Sequence, residues 1–200
     1  MDKQAILHIG SRVVAKEAEA LYAIAATLGD TGFYEAVNLI RASAGHVIIL
    51  GVGKSGHVGR KICSSLSSIG TPSFFIHPVE AKHGDLGMIT ADDIIILISY
   101  SGRTDEIMQL MPYLHQREVP VIAITGNRLS PLAESADIVI AFDIKGEACS
   151  YDIVPTVSAS ATLALGDAMA IALMESRGFS AQDFSKNHPA GHLGALLAAR

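Results

Sequence analysis

Residues 45–56 read Gly-His-Val-Ile-Ile-Leu-Gly-Val-Gly-Lys-Ser-Gly, and residues 94–106 read Ile-Ile-Ile-Leu-Ile-Ser-Tyr-Ser-Gly-Arg-Thr-Asp-Glu. In both, an aliphatic run of strand length passes straight into a glycine- or serine-rich turn that opens a helix. A helix N-terminus carries unpaired backbone N–H groups and the positive end of the helix dipole, so it favours an anion. Gly53 and Ser55 in the first loop, with Ser99, Ser101, Gly102 and Thr104 in the second, therefore read as two parts of one phosphate cradle.

Two nucleotide motifs fail here. Walker A needs four residues between its first glycine and Gly-Lys-Ser/Thr, and Gly51-Val-Gly-Lys-Ser supplies one. Gly51-Val-Gly-Lys-Ser-Gly satisfies Gly-x-Gly-x-x-Gly, but the dinucleotide fold also places an acidic residue at the end of the second strand. Residues 69–77 read Ile-Gly-Thr-Pro-Ser-Phe-Phe-Ile-His, with no carboxylate before Glu80. The phosphate then belongs to a small molecule rather than a nucleotide.

Working outward, five runs at 47–50, 73–76, 94–98, 121–124 and 138–141 are short and aliphatic without polar alternation. That is the pattern of parallel strands buried on both faces. Helical spacing spans 2–28, ending at Gly29, and 33–43. Between the strands it recurs near 58–69, 106–118 and 132–135, and a last helix covers 158–176 before Gly178. Strand alternating with helix predicts an α/β domain with a five-stranded parallel sheet flanked by helices on both faces. One domain is expected over 1–200: helices 2–44 packing on or across the core, a sheet core 46–178 and a tail 179–200. Residues 77–90 form a long connection carrying His77, Glu80, Lys82, His83 and Asp85, a length that marks functional loops.

Half of the 200 residues are apolar and the net charge is −5, enough for one well-buried core. No basic run or basic-aromatic stripe is present, which argues against nucleic acid or an anionic membrane as partner. The uninterrupted apolar stretches are strand-length, and the first residues lack a signal-peptide layout, so a cytoplasmic protein is expected. Cys63 and Cys149 are too few for a disulfide framework, and Cys63 falls on an apolar helix face.

Gly51-x-Gly-Lys-Ser-Gly, Ser99-x-Ser-Gly-x-Thr and the α/β pattern resemble the sugar isomerase (SIS) domain. His77-Pro-x-Glu-Ala-x-His-Gly-Asp-Leu-Gly, Lys145-Gly-Glu-Ala-Cys and Asn187-His-Pro-Ala-Gly-His-Leu-Gly narrow the resemblance to the arabinose-5-phosphate isomerases. These interconvert D-ribulose 5-phosphate and D-arabinose 5-phosphate, the precursor of the sugar acid Kdo of lipopolysaccharide and some capsules. Family members commonly continue into two CBS regulatory domains, whereas this sequence stops at Arg200, so the resemblance leads us to expect an isomerase core without them. Tyr100 and Arg103 depart from the family pattern, which has Asn and Glu there.

The resemblance implies roles. Glu106 matches a catalytic glutamate that shuttles the enediol proton; unaided, it reads as a helix N-terminal acid. Lys54 matches a lysine that stabilises the carbonyl or enediolate; unaided, it is a counter-charge to phosphate. His188 matches a histidine tied to catalysis and ring opening, and Glu147 an acid of catalytic relevance. His83 contacts sugar hydroxyls, while Gly70, Thr71 and His77 join the substrate site. No cofactor is required, although His77 takes Zn²⁺ as an inhibitor. The spacing of His77, Glu80 and His83 fits no zinc motif, and His8, His46, His57, His115 and His192 read as structural. The apolar N-terminal helix and SIS habit imply a homo-oligomer, a tetramer, with His188 reaching a neighbour's site. Two alternatives stay open: another SIS phosphosugar isomerase, or a non-catalytic phosphosugar sensor.

Overall fold

Every strand expected from the aliphatic runs forms, and the computed structural model, which describes residues 1–189, joins them into one sheet. The strands are β1 (Val47–Gly51), β2 (Ser73–Ile76), β3 (Ile94–Ile98), β4 (Val121–Thr125) and β5 (Ile138–Ala141). Their order is β2-β1-β3-β4-β5, with all neighbours parallel. β1, β3 and β4 are buried along their whole length.

Successive side chains leave a strand on opposite faces, and two apolar clusters follow from this. Val47, Ile49, Ile94, Ile96 and Ile98 pack with Ile40, Ile62, Leu66, Leu165 and Met169. Ile48, Leu50, Ile95 and Leu97 pack with Ile107, Leu110, Met111 and Leu114. Each such side chain contributes about 1.5–3 kcal/mol on burial, so the two-sided core accounts for most of the stabilisation. One face is covered by α2 (Phe33–Ala42), α3 (Gly53–Ser68) and α8 (Val157–Ser176), and the other by α5 (Asp105–Met108) and α6 (Met111–Gln116). α1 (Lys3–Thr27) lies against α8 and buries only Ala20 and Ile24. α8 is long and apolar enough to cross a membrane, but half of it is buried here against the core.

Four local expectations are corrected. The single helix at 106–118 is two, because Pro112 has no N–H to continue the ladder. The break is closed by three-residue bonds, Leu110 N–H to Ile107 and Tyr113 N–H to Leu110, each 3.0 Å. The connection 77–90 holds α4 (Pro78–Lys82) and a 3₁₀ turn (Asp85–Met88). α3 starts at Gly53, five residues before the apolar spacing reveals it, since its first turn faces the crevice rather than the core. The tail folds into α9 (Ala181–Asn187), opened by a reciprocal Ser180–Asp183 capping box. Between β4 and β5 lies α7 (Pro131–Ser135).

Candidate active site

β2 lies on one side of β1 and β3 on the other, so the connections that leave these strands diverge and open a crevice at their carboxyl ends. Open α/β sheets bind ligands at this switch point. The first loop enters α3 through Gly53 at φ +58°, and no side chain caps the helix, which leaves its leading N–H groups to the crevice. In the second loop Ser99 is buried, and its Oγ lies 2.7 Å from Thr104 Oγ1 while accepting the Gly102 N–H at 3.1 Å. Ser99 thus braces the turn, and the exposed Ser101, accepting from Arg103 N–H at 3.2 Å, offers its hydroxyl outward. Gly102 has φ +63° and abuts Ser130, the cap of α7, so a side chain there meets both strain and a neighbour.

Beside the first loop is a cavity of 310 Å³ that brings Lys54, Ser55 and Glu147 together with Tyr100, Asp152 and Ser158. The last three carried no catalytic signal in the sequence, although Tyr100 stood out as a departure. Glu147 comes from the connection between β5 and α8. Its Oε2 accepts Thr156 N–H at 2.8 Å, Thr156 Oγ1–H at 3.2 Å and Ser158 N–H at 3.3 Å, and its Oε1 accepts the Ser158 hydroxyl. Burial alone would raise this carboxyl, but the bonds from Ser158 and Thr156 outweigh it and hold Glu147 below the usual glutamate value. Lys16 of α1 donates to the Glu147 carbonyl at 2.6 Å, and Asp152, at φ +56°, accepts the Glu147 N–H. The cavity therefore contains a fixed anion beside a lysine.

Glu106 opens α5 directly after the second loop, half-buried and without a hydrogen bond to another described residue. His77 follows β2 at the same edge of the sheet, and its Nδ1 accepts the Val79 N–H at 3.2 Å to cap α4. That cap uses the one nitrogen lone pair of a neutral imidazole. Among the described residues no three His, Cys, Asp or Glu side chains gather as a metal site. The described residues therefore do not form a zinc centre at His77. His83 is exposed just beyond α4, whose Lys82 bonds Gln109 after α5.

Gly70, Thr71 and His188 lie elsewhere. Gly70 sits under the Phe179 ring before β2, and buried Thr71 accepts from Arg177 at 2.6 Å. Asn187 donates to the carbonyl of Ser68 at the far end of α3. A 16-residue helix is about 24 Å long, so within one chain these residues stand at the opposite edge from Lys54 and Ser55. His188 stacks on Phe184 with centroids 3.9 Å apart, and its Nδ1–H meets the Phe184 carbonyl at 2.9 Å. Nε2 is thereby left as the basic nitrogen. The rest of that segment, His192 included, lies outside the described residues. Cys63 is buried in the core, which pushes its thiol up to about 11.

A doubly wound parallel sheet with two glycine- and hydroxyl-rich helix entries at its switch point defines an α/β domain with an anion-type crevice at its carboxyl edge. The SIS domain model matches residues 40–172, and the chain belongs to that family. Arabinose 5-phosphate isomerase KdsD of Pseudomonas aeruginosa is 47% identical over 191 residues, 96% of this chain and 58% of its own length. Arabinose 5-phosphate isomerase KpsF of Escherichia coli O6:H1 is 50% identical over 190 residues, 94% of this chain and 58% of its own length. The chain thus spans a little over half the length of these curated relatives. A protein of E. coli CFT073 solved in complex with A5P superposes with a TM-score of 0.90 at 37% identity, covering 94% of this chain and all of that one.

Proposed function

We propose that this chain is the catalytic core of an isomerase interconverting D-ribulose 5-phosphate and D-arabinose 5-phosphate through an enediol. The observation that carries the reading is the cavity joining Lys54 and Ser55 of the first loop to the ionised Glu147. Relatives called arabinose 5-phosphate isomerase over nearly the whole chain support the choice of substrate.

The phosphate is held by the leading N–H groups of α3 with the Ser55, Ser101 and Thr104 hydroxyls. From the ketose, Glu106 removes the C1 proton while the C2 carbonyl becomes an enediolate beside Lys54. Returning that proton to C2, while the C1 hydroxyl passes its own proton to the C2 oxygen, gives the aldose. The redox change is internal to the sugar, so the scheme uses no redox cofactor. Glu147 keeps its charge and orients the wall of the cavity instead of moving protons, since its oxygens already accept four bonds.

His188 completes the site from a neighbouring subunit in a homo-oligomer, which we take as a tetramer, and serves ring opening through Nε2. Supporting this are its position at the far edge of the chain and the exposed apolar side chains of α1, among them Ile6, Leu7 and Val14. The product feeds Kdo formation for lipopolysaccharide or capsule. A coupled assay for arabinose 5-phosphate from ribulose 5-phosphate, with and without EDTA, tests the reading. Turnover that survives EDTA is expected; absent turnover with the sugar phosphate still bound points to a sensor or another phosphosugar.

A further inference from the structure

Tyr100 sits where the second loop leaves β3, and its ring is pinned from several sides. Its carbonyl accepts Gly126 N–H at 2.9 Å and Thr125 Oγ1–H at 3.2 Å. The ring lies flush on Gly126, where a Cβ would strike it, and meets Phe142 with centroids 5.7 Å apart at 45°. Seated in this way, the ring forms a fixed wall of the cavity that holds Lys54 and Glu147. Its hydroxyl makes no hydrogen bond to another described residue, whereas the carboxylate of Glu147 already accepts four.

We propose that Tyr100 is a specificity-determining residue: its fixed ring limits the length of sugar phosphate the cavity admits, and its hydroxyl donates to a sugar oxygen. The inference rests on the phosphosugar reading above and adds which sugars fit. Burial and the carboxylates of Asp143, Glu147 and Asp152 raise the phenol, so it stays protonated and able to donate across the working pH range. A site built around a hydrogen bond discriminates strongly, while an apolar wall does so by size.

The test compares wild type, Tyr100→Phe and Tyr100→Ala with arabinose 5-phosphate and with glucose 6-phosphate. Two quantities are read: kcat/KM, and the rise in Tm that each sugar phosphate causes. Tyr100→Phe is expected to lower kcat/KM and binding for the pentose phosphate about tenfold, with the ligand-free Tm unchanged. Tyr100→Ala is expected to raise the hexose-to-pentose ratio at least about tenfold by lengthening the cavity. If Tyr100→Phe matches wild type and the ratio in Tyr100→Ala stays within about twofold, the proposal is overturned. Tyr100→Phe keeps the ring, so it remains decisive if the alanine variant fails to fold. If wild type turns over neither sugar, the isomerase reading falls alone and the ligand-dependent Tm still judges Tyr100. If neither sugar shifts Tm either, both readings fall.

Discussion

Thr156 donates its backbone N–H to Glu147 Oε2 at 2.8 Å, so a loop carboxylate nine positions away caps the helix that covers the sheet. Glu147→Gln replaces one acceptor oxygen with an amide that faces the same donors, Thr156 and Ser158. A cost of about 1–3 kcal/mol in stability at pH 7 is expected from urea unfolding. The sign with pH follows from the lowered carboxyl. Its contribution is fully present above the unfolded value near 4.5 and is lost as pH falls through the lower folded value. The gap between wild type and Glu147→Gln therefore narrows below about pH 4.5. A gap that widens on acidification would show a raised carboxyl instead.

Glu106, unlike Glu147, has its oxygens free of described partners at the mouth of the second loop. Glu106→Gln should lower kcat by about 10²–10⁴-fold with KM little changed, the signature of a proton-transfer group. Steady-state kinetics with ribulose 5-phosphate checks it, and an unchanged kcat excludes Glu106 as the base.

His188 and Lys54 stand at opposite edges of one chain, which makes complementation decisive. His188→Ala and Glu106→Gln homo-oligomers should each be nearly inactive, and co-refolding them should restore activity that neither has alone. Mixed oligomers without any recovery would place His188 outside a neighbour's site.

Gly102→Ala forces a Cβ at φ +63° and toward Ser130. The left-handed backbone alone costs about 1–2 kcal/mol. Displacing Ser130, whose Oγ accepts the Ala133 N–H at 3.2 Å, loosens α7 as well. Thermal melting should show the loss, and KM for the sugar phosphate should rise more than kcat falls, because the turn carrying Ser101 and Thr104 is distorted.

Buried Asp93 ties the entry of β3 to that of β1, accepting His46 N–H at 2.8 Å and Thr90 N–H at 2.7 Å. Asp93→Ala strands both donors. Denaturant unfolding should report a loss of about 2–5 kcal/mol with the midpoint, not the catalytic rate of the folded fraction, affected.

The five strands, their parallel pairing and the two loops at 51–56 and 99–106 were legible because each depends on residues adjacent in the chain. Aliphatic runs without alternation mark strands of a covered parallel sheet, fully buried for β1, β3 and β4 and partly exposed for the edge strands β2 and β5. Glycine with hydroxyl residues after a strand marks a tight helix entry. Pro112 is equally visible in the sequence, yet apolar periodicity continues across it and conceals the division of α5 from α6.

What only the tertiary structure decided are relations between distant residues. Glu147 is an ionised helix cap because Thr156 and Ser158 fold back on it and Lys16, 131 positions away, holds its carbonyl. Tyr100 is seated against the backbone after β4 because Gly126 has no side chain to push it off. His188 stands away from Lys54 because α9 packs at the far end of α3, where its neighbour Asn187 bonds the Ser68 carbonyl. Local pattern determines which elements form and which loops face the sheet edge. Packing between elements sets the charge, freedom and reach of each side chain, and those depend on neighbours that no local spacing encodes.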